Sequence, residues 1–157
     1  MSNQFSYPVQ LVADEDGRFV ATFPDLPYGV TDGASEEEAL LEAQDALDEI
    51  IAGLINDGEE IPEPSAKKRG QYLVTLSAQM SAKAALYNAI RDAGISKVAL
   101  AKEMGCDEKE VRRMLDPHHP TKLPRIEDAL LALGHRLVVQ VLDVVVPVRP
   151  SKRRRTA

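Results

Sequence analysis

Residues 96–115 read SKVALAKEMGCDEKEVRRML, and this stretch decides the fold of the second half of the chain. Ala101 is small enough for two helices to cross closely, and Gly105, four residues later, can take the left-handed conformation of a tight turn. Val111, six residues further on, is a β-branched residue suited to the buried side of a second helix. The apolar residues that complete the buried side are Leu100, Met104, Met114 and Leu115.

Both helices of this stretch begin at a residue that caps helices well. Ser96 precedes the first helix, and Asp107 with Glu110 forms a capping box, D-x-x-E, at the start of the second. The full pattern resembles the helix-turn-helix of the phage-repressor type; the alternative is a generic helical hairpin with a glycine turn. In that motif the second helix enters the major groove, where Lys and Arg bind guanine edges and phosphate oxygens. The resemblance implies DNA contacts by Ser96, Lys97, Asp107, Lys109, Arg112, Arg113, His119 and Lys122.

Further helical and strand patterns flank this stretch. One helix ends at Gly94 before it, and a fourth helix is predicted over residues 125–133 after it. Residues 137–142 are rich in β-branched side chains and predict a strand. Because a lone strand leaves an unpaired edge, we expect it to pair with the same strand of a second protomer, giving a homodimer or a tetramer. The residues placed at this interface are Leu137, Val139 and Val141.

The first half follows a different pattern, which predicts a β-β-β-α-β order. Strands are predicted at residues 5–13, 18–23, 30–32 and 72–76. Ser35 and Glu38 form another capping box, S-x-x-E, ahead of a long helix that Gly58 can end. Apolar residues recur along this helix at spacings of three and four, so one of its faces should lie on the sheet. We therefore predict an α+β protein with one domain at residues 1–77, an all-α domain ending in a strand at 78–146, and a basic disordered tail at 147–157, either solvated or in contact with DNA.

The charge of the chain is divided between its two halves. Residues 1–66 hold sixteen acidic residues and one basic residue, a balance of −15, whereas residues 67–157 hold eighteen basic and nine acidic residues, a balance of +9. This division favours different partners, with the basic half meeting nucleic acid and the acidic half a cationic surface; segregated solvated faces are the alternative. The single Cys106 excludes an internal disulfide. The chain has no signal-like start and no apolar run of membrane length. Together with the single cysteine, these features predict a cytoplasmic protein.

The two halves, in this order, resemble the HicB-family antitoxins of type II toxin–antitoxin pairs. In the first half the resemblance rests on Tyr7-Pro8, Phe23-Pro24-Asp25-Leu26-Pro27, Thr31-Asp32-Gly33, Glu38-Ala39-Leu40 and Ile61-Pro62-Glu63-Pro64-Ser65. In the second half it rests on Leu86-Tyr87-Asn88-Ala89, Ile95-Ser96-Lys97, the helix-turn-helix and His119-Pro120-Thr121-Lys122-Leu123. Tyr28-Gly29 departs from the Gly-Cys that many members carry at this place.

This resemblance implies a partial RNase H-like first domain that binds a HicA-type toxin, a small basic protein that cleaves mRNA. It implies that the second domain binds the operator and represses the operon. With the charge division, it places the toxin contacts at Asp25, Tyr28, Glu36, Glu37, Glu42 and Glu49. A stand-alone helix-turn-helix regulator with a ligand-sensing first domain is the alternative.

Catalysis is not expected, although an RNase H-like fold suggests a metal nuclease. Asp14, Glu15 and Asp16 lie in one hairpin turn, whereas two-metal chemistry needs carboxylates that converge from different elements. His118 and His119 lack further ligands at metal-site spacing. We therefore predict a protein that is not an enzyme and that binds no metal or cofactor.

Overall fold

The computed structural model describes residues 5–26 and 28–143, which form an α+β structure. The described residues contain a four-stranded antiparallel sheet and five helices, and the predicted β-β-β-α-β order of the first half is confirmed. The elements are β1 Ser6–Ala13, β2 Phe19–Thr22, β3 Val30–Gly33, α1 Glu36–Asp57, β4 Tyr72–Thr75, α2 Ala78–Ala93, α3 Lys97–Met104, α4 Glu108–Leu115 and α5 Leu123–Ala132. We call β1–β4 with α1 the sheet half and α2–α5 the helical half.

The strands of the sheet half lie in the order β3-β2-β1-β4. Leu11 pairs with Ala21 and Tyr7 with Val74, so these residues share the face that α1 covers. Alternate residues on a strand point to opposite faces, so Tyr7 and Val9 are buried on one face while Gln10 is exposed on the other, although Pro8 on the face of Gln10 is also fully buried.

Both ends of α1 follow from local sequence. The hydroxyl of Ser35 accepts a hydrogen bond from the Glu38 amide at 3.1 Å, as the predicted capping box requires. The Glu38 carboxylate accepts one from the amide of Ala34 at 3.1 Å, one residue earlier than in the standard box. Gly58 ends the helix with a φ of 70°, in the left-handed region that glycine adopts without strain.

The predicted starts and turn of α3 and α4 are confirmed, with one correction. Ser96 accepts a hydrogen bond from the Ala99 amide at 3.0 Å, and Gly105 has a φ of 67°. Asp107 caps α4 by accepting from the Lys109 amide at 3.3 Å. Glu110 does not complete a capping box, because its carboxylate instead binds the Arg125 guanidinium at 2.6 Å, a charged partner stronger than a backbone amide. The buried residues here are Leu100, Ala101, Val111, Met114 and Leu115.

The strand expected at residues 137–142 is not formed within the single chain. Residues 135–143 belong to no helix or strand, and the side chains of Val139 and Val141 are 70% and 94% exposed. A strand exists only where a neighbouring strand accepts and donates its backbone hydrogen bonds, and no described strand of this chain pairs with these residues. The predicted basic tail at 147–157 lies outside the described residues.

The two halves are joined by packing. The buried residues of both form one continuous hydrophobic cluster, in which α2 contacts α1, α4 and α5. At the turn from β4 into α2, the amide of Ser77 donates to the carboxylate of Asp48 at 3.0 Å. None of the described helices is both long and apolar enough to span a membrane.

Candidate functional site

The exposed positions of α1 are mostly acidic, and we call them its acidic face. Glu36 and Glu37 are exposed in the first turn, where negative charge is favoured by the helix dipole, and Glu49 is exposed three turns later. Glu42 is half-buried and engaged in an interaction of its own. Since α1 contains no basic residue, this face offers negative charge to a cationic partner.

Tyr28 is the most exposed of the large hydrophobic side chains that the structure describes, at 97%. Its φ of 65° lies in the left-handed region, which a bulky residue rarely adopts. The turn around it is held on both sides, because the Phe23 amide donates to the Gly29 carbonyl at 3.0 Å and the Val30 amide to the Tyr28 carbonyl at 2.9 Å. Strained and exposed aromatic residues are common at binding sites, so Tyr28 is a candidate anchor.

Asp25 has a role that differs from the one its sequence position suggests. Its carboxylate oxygen Oδ2 accepts hydrogen bonds from the amide and the hydroxyl of Ser65 at 2.8 and 3.0 Å. It thus fixes the crossing that leads from α1 to β4. The Tyr7 hydroxyl fixes the same crossing by donating to the Pro62 carbonyl at 2.6 Å.

The face of the sheet opposite α1 is a surface that sequence reasoning missed. Val12, Val30 and Leu73 are 56%, 65% and 48% exposed, and their strand registers place them on this face. The sequence feature that could have predicted this surface is the presence of apolar residues at outward strand positions, where polar residues are usual.

The predicted DNA contacts lie on exposed parts of α3, α4 and the loop that follows. Among the described residues, the side chains of Lys97, Lys109 and Arg113 have no ion-pair partner. Arg112 differs, because it pairs with Glu108 at 2.8 Å while remaining 65% exposed. The side-chain oxygens of Ser96 and Asp107 accept hydrogen bonds from helix amides, so both residues act as caps here.

Part of this basic surface surrounds a cavity of about 220 Å³ between α4 and α5. Arg113, His119 and Lys122, three of the predicted DNA contacts, line it together. The cavity also contains Glu110 and Arg125, which neutralise one another through their 2.6 Å ion pair.

Beneath this surface lies Lys83, the single polar or charged residue that is buried among those the structure describes. Its Nζ lies 3.1, 3.1 and 2.8 Å from the backbone carbonyl oxygens of Arg113, Met114 and Asp116, and 2.8 Å from Thr121 Oγ1. The three N–H groups of the ammonium are shared among these four acceptors. The ammonium therefore satisfies carbonyls at the end of α4, where positive charge is favoured. Burial lowers the pKa of Lys83 below its ordinary value. The sequence analysis did not single out this residue. The feature that could have indicated it is a lysine at a position inside the apolar pattern of α2.

The other end of α2 holds the end of α1. The Tyr87 hydroxyl donates to the Glu59 carbonyl at 2.7 Å, and Arg91 donates to the Gly58 carbonyl at 2.8 Å. The Arg91 guanidinium also lies 5.5 Å from the centre of the Tyr87 ring, within the range of a cation–π contact. One helix thus supplies cations to the carbonyl ends of both α1 and α4.

Redox and metal chemistry find little support in the described residues. Burial raises the pKa of the Cys106 thiol, which disfavours the thiolate that a nucleophile or metal ligand requires. Within the part of the chain that the structure describes, no three His, Cys, Asp or Glu side chains group in a way that could hold a metal ion.

Comparison with known proteins identifies the class of protein. Residues 6–85 match the family of HicB-like antitoxins of bacterial toxin–antitoxin systems. The chain is 39% identical over 137 residues to Antitoxin HicB 2 of Photorhabdus laumondii, covering 87% of this chain and 96% of that one. It is 35% identical over 135 residues to Antitoxin HicB 1 of the same organism, covering 86% of each chain.

Antitoxin HicB of Escherichia coli K12 is 31% identical over 131 residues, which cover 83% of this chain and 95% of that one. Since only 26 of the 157 residues can lie outside that match, it includes residues 27–131 and therefore nearly all of α2–α5. The protein is thus an antitoxin of a bacterial toxin–antitoxin system. Within that class, it belongs to the HicB-like family.

Proposed function

We propose that this antitoxin binds and neutralises a HicA-type mRNA-cleaving toxin through its sheet half and represses its own operon by binding operator DNA through its helical half. Family membership supports the toxin partner. The separation of charge is the main support for giving the two halves different partners. The acidic residues of α1 lie on one element, and the basic residues lie on α3, α4 and the following loop. Since mRNA cleavage occurs in the cytoplasm, we place the antitoxin there as well.

The first experiment is to express the short reading frame next to the gene with and without this chain. We expect the neighbouring protein to arrest growth alone and to be harmless when co-expressed, with RNA cleavage blocked in the purified complex. An alternative regulator with a ligand-sensing domain would leave growth and RNA cleavage unaffected.

The acidic face of α1 should accelerate association with the toxin. We expect the triple change Glu36→Gln, Glu37→Gln and Glu49→Gln to lower the association rate by about tenfold at low salt and to flatten its salt dependence, because steering by exposed charges is screened by ions. Stopped-flow mixing with a cleavage-dead toxin measures both effects. The full chain is used because α2 covers part of the α1 core.

The matched control for this change removes the same charge from the same half of the molecule. Glu59, Glu60 and Glu63 are exposed in the segment after α1, and their replacement by Gln should slow association much less. Equal rates for the two triple variants would show that only net charge matters, and the assignment of the α1 face would be wrong.

For the helical half, we propose that α3 and α4 form the helix-turn-helix and that α4 is the recognition helix. Ala101, Gly105 and Val111 take the buried or turn positions that the motif needs. Selection of duplexes from a randomised pool by the full chain should yield a palindrome whose half-sites lie about 34–36 Å apart, one helical turn. Failure to enrich any sequence would contradict the repressor role.

Two-fold operator binding needs a dimer, which we propose forms through Leu137, Val139 and Val141. These apolar residues lack full cover within the described chain, and an added strand from a second protomer would supply both cover and hydrogen bonds. Val139→Pro should give monomers in sedimentation, because proline removes a backbone donor. Val139→Thr keeps the β-branched shape and the donor and should remain dimeric. A dimeric proline variant would exclude this segment as the interface.

A further inference from the structure

Two of the cationic residues that line the cavity between α4 and α5 have no carboxylate partner among the described residues. Arg113 and Lys122 line it with no ion pair to any described residue, and His119 lines the same cavity. The carboxylate in the lining, Glu110, is held by Arg125 at 2.6 Å. The net charge that the cavity offers is therefore positive.

The cavity has the size and donors of a phosphate site. Its volume of about 220 Å³ exceeds several times the ~30 Å³ of one water molecule, so a phosphate group fits. Arg113 can give a forked pair of N–H donors, Lys122 an ammonium, and His119 a ring N–H. Phosphate oxygens are the acceptors that such a combination binds best.

The loop that carries two of these groups is held rigidly from below. Lys83 binds both Asp116 O and Thr121 Oγ1 at 2.8 Å, at the two ends of the loop. The Gln79 side-chain amide donates to the Thr121 carbonyl at 3.3 Å. A site whose supporting contacts exist before the ligand arrives loses less entropy on binding.

We propose that this cavity binds a backbone phosphate of the DNA duplex, with Arg113 and Lys122 as the charged donors and with Lys83 and Gln79 as positioning residues. The inference rests on the proposed operator binding and assigns Arg113 to the DNA backbone. Arg112, which pairs with Glu108 but is 65% exposed, is left to meet base edges. A phosphate contact fixes the orientation of the protein on DNA but carries no sequence information.

The test measures the affinity of the full chain for DNA against KCl concentration, using the duplex selected from the randomised pool and a scrambled duplex. Arg113→Ala and Lys122→Ala should each weaken binding roughly tenfold, by the same factor on both duplexes. Each should also reduce the salt slope by about 0.9 for every phosphate that the variant no longer neutralises. Gln79→Ala should produce a smaller loss in the same direction, although its side chain does not touch DNA.

Arg69→Ala is the matched control, because it removes one exposed positive charge from the turn before β4 and should leave the salt slope unchanged. A loss confined to the selected duplex would assign Arg113 to a base edge and overturn the proposal, as would unchanged slopes in both variants. A wild-type chain that binds neither duplex would instead overturn the proposed repressor function itself, and this site with it.

A second arm separates DNA phosphate from small phosphates. Inorganic phosphate at millimolar concentration should shift the amide resonances of Thr121 and Lys122 in the full chain, and Arg113→Ala should abolish the shift. Saturation at micromolar concentration would identify a free phosphate compound as the natural ligand and overturn the DNA assignment.

Discussion

Alanine in place of Gly33 should unfold the sheet half under conditions where the unchanged protein is stable. A Cβ atom at this position would lie 2.3 Å from the backbone nitrogen of Ala39 and 2.8 Å from its Cα. These atoms belong to the first turns of α1 and cannot move without lifting the helix from β3. Overpacking of a core typically costs about 1–3 kcal/mol, and a clash with backbone exceeds that range. Against a total stability of about 5–15 kcal/mol, this is a large loss.

The control is Gly53→Ala in the same half. Gly53 lies within α1 and a Cβ there would meet nothing within 4 Å, so alanine should stabilise the helix by about 0.5–1 kcal/mol. Thermal unfolding followed by circular dichroism compares the two variants, and toxin neutralisation should be lost only in Gly33→Ala. Similar melting temperatures would mean that β3 and α1 do not approach each other as closely as the structure has it.

Lys83→Met should have the largest effect on the helical half. Two effects of the Lys83 ammonium on stability oppose each other. Its burial is unfavourable, as its lowered pKa indicates, whereas its hydrogen bonds to four acceptors are favourable. Methionine removes the buried charge but leaves the Met114 carbonyl without its donor, whereas the carbonyls of Arg113 and Asp116 keep donors in the Thr121 hydroxyl and the His119 amide. An unsatisfied buried group costs about 1–3 kcal/mol, and the other acceptors lose a charged donor, so we expect a net destabilisation of about 1–3 kcal/mol.

The consequences of Lys83→Met should reach the surface that we propose binds DNA. Without the ammonium, the end of α4 and the loop to Thr121 lose their common anchor, so duplex affinity should fall even at temperatures where the variant is folded. Chemical denaturation and gel shifts measure the two effects. Lys102→Met, at an exposed lysine of α3 with no described ion pair, should change stability by less than about 0.5 kcal/mol. A Lys83 variant as stable as this control would contradict the anchoring role.

The pH dependence of stability gives an independent readout for Lys83. Its pKa in the folded state lies below the ordinary value of 10.5, so between these two pKa values the unfolded chain binds more protons than the folded one. The contribution of this group to stability should therefore rise with pH in that window and be constant below it. Lys83→Met should lack this alkaline rise.

Much of the local structure was predictable from the sequence. Ser35 and Ser96 cap the helices that were expected to start there, and Gly58 and Gly105 end the helices that were expected to stop there. Each of these features depends on residues within a few positions along the chain. The order of elements in the first half was equally readable, because alternation with a period of two is local.

The candidate site was predictable only in part. Arg112 and Arg113 are neighbours with the same chemistry, and the sequence treats them alike. The structure distinguishes them, because Arg112 pairs with Glu108 while Arg113 lines the cavity with Lys122. The strand predicted at residues 137–142 is not formed in the single chain, where no described strand lies beside it, and its pairing with a second protomer stays a prediction.

What the sequence determined by itself was the order of elements in the sheet half, the residues at which helices start and stop, and the division of charge, because each depends on the order of residues along the chain. What only the tertiary structure decided was how distant residues meet. Lys83 lies 30 residues from Arg113 and Tyr87 lies 28 from Glu59, and no local pattern encodes either contact. The physical reason is that a buried donor must find an acceptor wherever packing brings one, and packing is settled by the whole core.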